Sequence, residues 1–298
     1  MNVLFVVNPV AGDTDKEGFL EEAAELCRYF GVGCQFFETQ GSNDKQRLVD
    51  QIDSYRPDRL LAVGGDGTFR LAATVRPGSE IPVGIIPMGS ANGMARELGV
   101  RREPMNALRD FLLSRYIAGL DLLEVNETHY CLHIGDVGVN ARLVQAYERD
   151  GRRGMVTYAR YFLEELRNAE DFRFRLETDE ETLEGTAVML GICNGRRFGT
   201  SIPINLKSNP FDGEFEIVVI EEIDYATLLR AGLSVFDQKF LENQTSRVLP
   251  MYSAALHFEQ PRLLQLDGEV IGEFEELNIR IHADAIPLVT HSGNTYLK

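Results

Sequence analysis

The run Leu60-Leu-Ala-Val-Gly-Gly-Asp-Gly-Thr-Phe-Arg70 constrains the fold more than any other stretch of this chain. Its apolar opening has the length of a buried strand and runs straight into Gly64, Gly65, Asp66, Gly67 and Thr68. A strand of that kind needs cover on both faces, as in a parallel sheet flanked by helices. Adjacent glycines let the backbone approach an anion and turn N–H groups toward it, and Thr68 is suited to open a helix over Phe69–Val75. Asp66 is the odd member. Among anion-binding amides a carboxylate repels phosphate unless it holds a cation or orients a neighbour, which points to metal-assisted phosphate chemistry. The plainer alternative is a strand-to-helix turn whose Asp caps.

The surrounding segments carry the same alternation. From residue 1 to about 120, apolar runs at Val3–Asn8, Cys34–Glu38, Leu60–Val63 and Val83–Pro87 alternate with helix-period stretches at Glu17–Phe30 and Asp44–Tyr55. Ser90 is placed to N-cap a further helix that Gly99 stops after Leu98, and Pro104 suits the first turn of another reaching about Tyr116. Beyond Gly119, strand-like alternation dominates at Leu122–Glu127, Tyr130–Ile134, Phe172–Thr178, Thr182–Cys193, Phe215–Glu221, Leu263–Leu266 and Leu277–His282. Helical stretches interrupt it at 155–168 and 224–242. The expectation is an α/β domain over 1–120 and an all-β domain with inserted helices over 121–298, whose last residues can return to the first. With 298 residues and no repeat or linker tract, the two domains are expected to pack closely around a cleft.

Composition narrows the function. Thirty basic against 46 acidic residues leave a net charge of −16, which argues against nucleic acid and disfavours an anionic membrane held by general electrostatics. Membrane contact then has to be local. The densest basic patch, Arg149, Arg152, Arg153 and Arg160, adjoins the helix-like Met155–Asn168 with Tyr158, Tyr161 and Phe162. That segment either docks near headgroups or covers a sheet with its arginines in solvent. No apolar run is long enough to span a bilayer and no charged-then-apolar leader opens the chain, so a cytoplasmic protein is expected, peripheral to a membrane at most. Cys27, Cys34, Cys131 and Cys193 form no C-x-x-C pair and read as buried reduced thiols, and the histidines show no metal-ligand spacing on a helix.

Two further loops resemble the first in design. Asn8-Pro-Val-Ala-Gly12 ends the first strand, where a parallel sheet binds its ligands; Asn8 can donate through its amide and Gly12 frees the turn. Pro87-Met-Gly-Ser-Ala-Asn-Gly-Met-Ala-Arg96 repeats a strand end, a glycine and a hydroxyl at a helix start, where Ser90 and Asn92 either bind phosphate or ribose or cap the helix. Neither G-x-x-x-x-G-K-[ST] nor G-x-G-x-x-G is present, so these glycines are not a P-loop or a dinucleotide fingerprint. In the second half, Asp212-Gly213-Glu214 and Asp267-Gly268-Glu269 each lie between strand-like runs and read first as hairpin turns.

With Asn8-Pro-x-x-Gly12, Gly64-Gly-Asp-Gly-Thr68, Pro87-x-Gly-Ser-x-Asn92 with Ala95-Arg96, and Asp267-Gly-Glu269 in this order, the chain resembles the diacylglycerol kinase catalytic-domain family, nearest its soluble bacterial lipid kinases. Gly138-Val-Asn-Ala141 is similar to the family's Gly-Phe-Asp-Ala, and Asn194-Gly195, Phe198-Gly199 and Asp212-Gly213 are similar to its second-domain signature. The resemblance implies an N-terminal α/β nucleotide-binding domain like that of NAD kinase and phosphofructokinase, a C-terminal β-sandwich, and ATP between them. Position by position it implies ATP contacts at Asn8, Pro9, Val10, Ala11, Gly12, Thr39, Gly64, Gly65, Asp66, Gly67, Thr68, Phe69, Arg70, Ser90 and Asn92. It implies a structural Mg²⁺ held by Asp212 with backbone oxygens of Asn209 and Glu214, and a proton acceptor in Glu269. The chain departs from the family at Ser90 in place of Thr, Arg70 in place of Asn, Asn140 in place of Asp, and Thr200-Ser201 where glycines are common.

The activity these residues imply is transfer of the γ-phosphoryl group of ATP to a lipid hydroxyl, diacylglycerol or a related lipid. Backbone amides at Gly64–Thr68 with Mg²⁺ near Asp66 stabilise the transferred group, Asp66 and Glu269 are the catalytic carboxylates, and Glu269 takes the hydroxyl proton. The expected partners are a lipid reached by transient membrane contact and a second copy of the chain. Two rivals stand beside this reading. NAD kinase shares Gly-Gly-Asp-Gly-Thr but is expected to carry an Asn-Glu pair soon after, whereas the pair here, Asn126-Glu127, lies in a strand context. A nucleotide- or lipid-binding regulator without turnover is the other.

Overall fold

The computed structural model describes residues 1–12, 16–138, 141–142, 170–179, 181–197, 204–221, 246–291 and 293–297. The helical readings at 155–168 and 224–242, with the basic patch at 149–160, lie outside the described residues, as do Asn140, Phe198-Gly199 and Thr200-Ser201. The chain divides into two compact units, Met1–Asp121 with Ala283–Lys298, and Leu122–His282.

The first unit is built on parallel strands β1 (Asn2–Val7), β2 (Gly33–Glu38), β3 (Arg59–Gly64) and β4 (Val83–Pro87), in the order β2-β1-β3-β4. Every residue of β4 is buried, as a strand covered on both faces requires. Helices α1 (Lys16–Tyr29), α2 (Asp44–Tyr55), α3 (Asp66–Thr74), α4 (Gly93–Glu97) and α5 (Pro104–Leu113) complete it. In α1 the apolar residues Phe19, Ala23 and Cys27 recur every fourth position and are buried, together with Lys16 at the helix start. Helix α5 is set at its start by Glu103, whose carboxylate accepts from the amides of Met105 and Asn106, with Pro104 in the first turn. Because β1 is flanked by β2 on one side and β3 on the other, the chain reverses its direction of progress across the sheet between them. The loops leaving β1 and β3 therefore open a crevice at the carboxyl ends of the strands.

The second unit is antiparallel. It comprises β5 (Ile117–Val125, entering from the first unit), β6 (His129–Cys131), β7 (Ile134–Gly138), β8 (Phe172–Glu177), β9 (Thr182–Ala187), β10 (Met189–Cys193), β11 (Phe215–Ile220), β12 (Ser246–Met251), β13 (Ser253–Leu266) and β14 (Glu269–Val289). A register shift between His257 and Arg262 divides β13: its first part pairs with β8, its last residues with β7. One strand thus joins two arms of a branched sheet, β12-β11-β10-β7-β13 and β9-β8-β13. Val137, Leu190, Ile192, Phe215, Ile217, Leu256, Leu264 and Leu266 belong to a single buried core, and β8 shows the buried-exposed alternation of a strand with one wet face. Beyond His282 the end of β14 returns to the first unit and pairs in parallel with β4, Leu288 against Val83.

Several local expectations are corrected. Helix α3 begins at Asp66 with Gly65 as its N-cap, so Thr68 sits inside the first turn rather than opening the helix. Helix α4 begins at Gly93, not at Ser90; the residue before it is Asn92 in a left-handed conformation, whose own side chain makes no capping bond to the helix. Helix α5 ends at Leu113, short of Tyr116, because Ser114 turns extended. Asn126 and Glu127 lie in the turn after β5, both with positive φ, and not in a strand. Asp212-Gly213 is a loop leading into β11 rather than a hairpin turn between two described strands. Cys34 is half-buried, while the other three cysteines are buried.

Candidate active site

In the first unit three loops meet at the carboxyl ends of β1, β3 and β4. Asn8 donates its backbone N–H to Val63 O, and Met88 donates to Gly64 O, tying each loop to the strand beside it. The glycines permit approaches that no side chain would. A Cβ at Gly89 would overlap Gly65 Cα and lie 2.7 Å from Gly65 N, while one at Gly12, whose φ is +66°, would lie 2.9 Å from Met88 O. Gly12 and Gly89 are therefore required by contact between loops. Amides at the start of α3 have no partner within their own helix and carry its positive dipole end, so the crevice is built to receive an anion. Thr39 N–H donates to Val7 O at 2.9 Å, which brings Thr39 to the same strand ends.

The side chains around this cradle serve mainly to shape it. Asn8 Oδ1 accepts from Val10 N at 3.1 Å, closing a turn over Pro9. Asn92 bridges its own loop both ways, accepting from Gly89 N and donating to Gly89 O, each at 2.8 Å. Ser90 is exposed at the tip of that loop. Thr68 is buried, and its side chain fills the space against Gly64. Asp66 spends both oxygens on backbone: Oδ2 accepts from Gly93 N at 2.9 Å and Oδ1 from Met94 N at 2.8 Å. It caps α4, not the helix it begins, and so joins the Gly64–Thr68 loop to the Met88–Gly93 loop. Lys16, absent from the sequence-derived set, is buried at the start of α1 and donates its ammonium to Ala11 O. Its only sequence signal is a cation at the first position of a helix, which reads as a surface residue.

In the second unit Asp267 and Gly268 form the two-residue turn between β13 and β14, with φ of 51° and 85° and Leu266 opposite Glu269. Positive φ at both positions is the hairpin geometry that Asp-Gly favours. The Asp267 carboxylate accepts from Leu132 N and His133 N at 2.9 Å, from Ile134 N at 3.3 Å and from the Cys131 thiol at 3.2 Å. The opposite side of that segment is held by Asn194, whose Nδ2 donates to Leu132 O at 2.8 Å, and by Asn194 N and Gly195 N, which both donate to His133 O. The Asn194-Gly195 and Asp267-Gly268 signatures thus grip one stretch of chain. Glu269 follows at the exposed first position of β14.

Asn209, Asp212 and Glu214 lie in the loop before β11. Asp212 Oδ1 accepts from Glu214 N at 3.0 Å, and the Tyr252 hydroxyl donates to Glu214 Oε1 at 2.6 Å. Partial burial pushes the Asp212 carboxyl above its usual range; burial does the same to Glu216, whose Oε2 accepts from Ser208 Oγ at 2.6 Å. Among the described residues no three His, Cys, Asp or Glu side chains converge as metal ligands. Asn209 Oδ1, however, is buried with no hydrogen-bond partner among the described residues. An unsatisfied amide oxygen in the same loop as the Asp212 carboxylate is the kind of donor that a hard cation takes, as are backbone carbonyls.

Two solved structures share this architecture. A putative diacylglycerol kinase from Bacillus anthracis str. Sterne superposes with a TM-score of 0.80 at 22% identity, covering 99% of this chain and 96% of that one. An NAD kinase from Archaeoglobus fulgidus, solved in complex with ATP, gives 0.59 at 13% identity, covering 99% and 95%. At such identities the shared property is the fold. The sequence separates the two: residues 2–125 match the family model of the diacylglycerol kinase catalytic domain, and 134–290 that of the YegS C-terminal NAD kinase beta sandwich-like domain. The chain belongs to the diacylglycerol kinase catalytic-domain family, among its bacterial lipid kinases. A protein named probable lipid kinase YegS-like, from Klebsiella pneumoniae (strain 342), is 27% identical over 192 residues, 63% of this chain and 64% of that protein. The match spans a little under two thirds of that relative's length. No helix among the described residues is long and apolar enough to cross a membrane.

Proposed function

We propose that this protein transfers the γ-phosphoryl group of ATP to the hydroxyl of a lipid, diacylglycerol or a related one, with Mg²⁺. The observation that carries the reading is the glycine-on-glycine contact of the loops after β1, β3 and β4, which makes an anion cradle in a chain of the lipid kinase family. Phosphoryl transfer passes through a loose transition state, so the protein's task is alignment and charge stabilisation. Amides of Gly65, Asp66 and Gly67 face the triphosphate, and Asn8 to Gly12, Thr39, Phe69, Arg70 and Ser90 complete the nucleotide's surroundings. Asp66 and Asn92 hold the loops in register through the bonds described above. Glu269 orients the lipid hydroxyl and accepts its proton as the new P–O bond forms, since an alkanol does not ionise beforehand.

Mg²⁺ bound with the nucleotide supplies positive charge against the phosphate oxygens. A second, structural Mg²⁺ would be held by Asp212 with oxygens of Asn209 and Glu214. The lipid is reached by transient contact with a membrane surface, and the active form is a cytoplasmic protein that can pair with a second copy of itself.

The test is incubation of the pure protein with labelled ATP and Mg²⁺, a panel of lipids in mixed micelles, and NAD in a parallel tube. Label in an organic-extractable product is the expected result. Label in NADP, or none at all, refutes the proposal. Glu269→Gln is expected to lower kcat by about 10²–10⁴-fold with ATP affinity retained.

A further inference from the structure

We propose that Gln265 and Asp136, two buried residues outside every predicted site, are positioning residues for Glu269; this rests on the role given to Glu269 above. They face one another on the paired strands β13 and β7 and are 1% and 0% exposed. Gln265 Nε2 donates to Asp136 Oδ2, while Gln265 Oε1 accepts from Gly268 N at 2.7 Å. The amide therefore reaches past the end of its own strand to hold the main chain of the turn one residue before Glu269.

A hairpin turn does not need this. The cross-turn bond of a two-residue loop leaves the N–H of its second residue to solvent in an ordinary hairpin, and apolar residues at the 136–265 pair would avoid burying a carboxylate. Here both N–H groups and the carboxylate of the turn are held: Asp267 N donates to Ile134 O at 3.0 Å, the Asp267 carboxylate takes the amides of 132–134, and Gly268 N is taken by Gln265. Asp136 keeps the Gln265 amide in the one orientation that presents its oxygen to Gly268. Flipped, the amide would offer NH₂ to an N–H donor. A proton acceptor must be held to within a fraction of an ångström of its proton, and a displacement of about 1 Å costs about 100-fold in rate. The fold spends buried polar groups at the residue next to Glu269.

A kinetic double-mutant cycle tests this with the whole protein, ATP and the accepted lipid. Gln265→Leu is expected to lower kcat about 10–100-fold with the KM for ATP unchanged, and to have no further effect in a Glu269→Gln background. Gln265→Asn, too short to reach both partners, is expected to behave in the same way and serves if the Leu variant does not fold. Asp136→Leu removes the acceptor that orients the Gln265 amide and is expected to lower kcat in the same range as Gln265→Leu. Amide exchange is expected to quicken at 267–269 in the Gln265 variants and nowhere else. Unchanged kcat and exchange in the folded Gln265 variants, or an equal drop in kcat with and without Glu269, overturns the inference. Wild-type turnover by Glu269→Gln instead overturns the role given to Glu269, and the exchange measurement still reports on the turn.

Discussion

Neutralising Asp66 without changing its shape separates two roles that a carboxylate in a phosphate loop can have. If the charge only awaits a cation, the nucleotide-free protein carries unrelieved repulsion there, and Asp66→Asn should leave stability unchanged or raise it. The geometry favours the other role. Two backbone donors, Gly93 N and Met94 N, reach the two oxygens at 2.9 and 2.8 Å, and Met94 is 1% exposed, so water cannot replace the lost acceptor. An asparagine keeps one oxygen and turns an NH₂ toward the second N–H. One charge-assisted bond is lost and one buried donor is stranded, a cost of about 1.5–3 kcal/mol. For a unit of this size that is roughly 5–10 °C in Tm. The assay is thermal and urea unfolding of the purified variant without nucleotide or Mg²⁺, alongside ATP affinity by calorimetry. The variant should stay folded, melt lower and bind ATP more weakly, because α4 and the loop before it are no longer held to the start of α3. A nucleotide-free Tm equal to or above that of wild type would refute this account of Asp66.

Gly89→Ala places a methyl group into Gly65 backbone, which has no rotamer to yield; it should cost about 1–3 kcal/mol and weaken ATP binding at least about tenfold by calorimetry. Asp212→Asn should abolish Mg²⁺-dependent stabilisation, which for wild type at ten times Kd is about 1.4 kcal/mol by RT ln(1 + [L]/Kd). In the presence of chelator the same variant should be no less stable than wild type, since burial disfavours the Asp212 charge and an amide oxygen still accepts from Glu214 N. Glu124 is held below its usual carboxylate range by the hydrogen bond from Arg280, 2.7 Å away, with His282 Nε2 at 3.1 Å helping against burial. Its contribution is complete above the unfolded value near 4.5 and is lost as pH falls through the lower folded value. Glu124→Gln should therefore cost about 0.5–1 kcal/mol at pH 7, with the gap to wild type closing in acid unfolding curves.

What could be read from the sequence was whatever a few neighbouring residues determine. Leu60–Val63 declares a strand buried on both faces, the spacing of Phe19, Ala23 and Cys27 declares a helix, and Asp267-Gly268 declares a turn with positive φ. Reading failed where the pattern is broken or the partner is remote. The strand Ser253–Leu266 was legible only at its end, because Glu259-Gln-Pro261 interrupts the alternation at the register shift that divides its pairing between β8 and β7. The strand Glu269–Val289 was legible only over part of its length because consecutive exposed residues at Glu275-Glu276 and Ala283-Asp284 break the period-two signal. Lys16 was invisible for a different reason: its burial depends on a loop carbonyl at Ala11 that periodicity does not see.

The two Asp-Gly signatures show how far such reading reaches toward chemistry. In both, the carboxylate binds main-chain amides distant in sequence: Asp66 those of 93 and 94, Asp267 those of 132, 133 and 134. A short carboxylate following or preceding glycine is suited to this, because the glycine lets the neighbouring backbone come close and the charge strengthens each bond. The consequence is a division of labour. The aspartates fix where the glycine amides and the chain entering Glu269 stand, and under the proposed function those groups are the ones that act on substrate. Replacing either aspartate should therefore be felt first in unfolding and amide exchange, and in turnover as a consequence. Replacing Glu269 should be felt in turnover with stability left where it was.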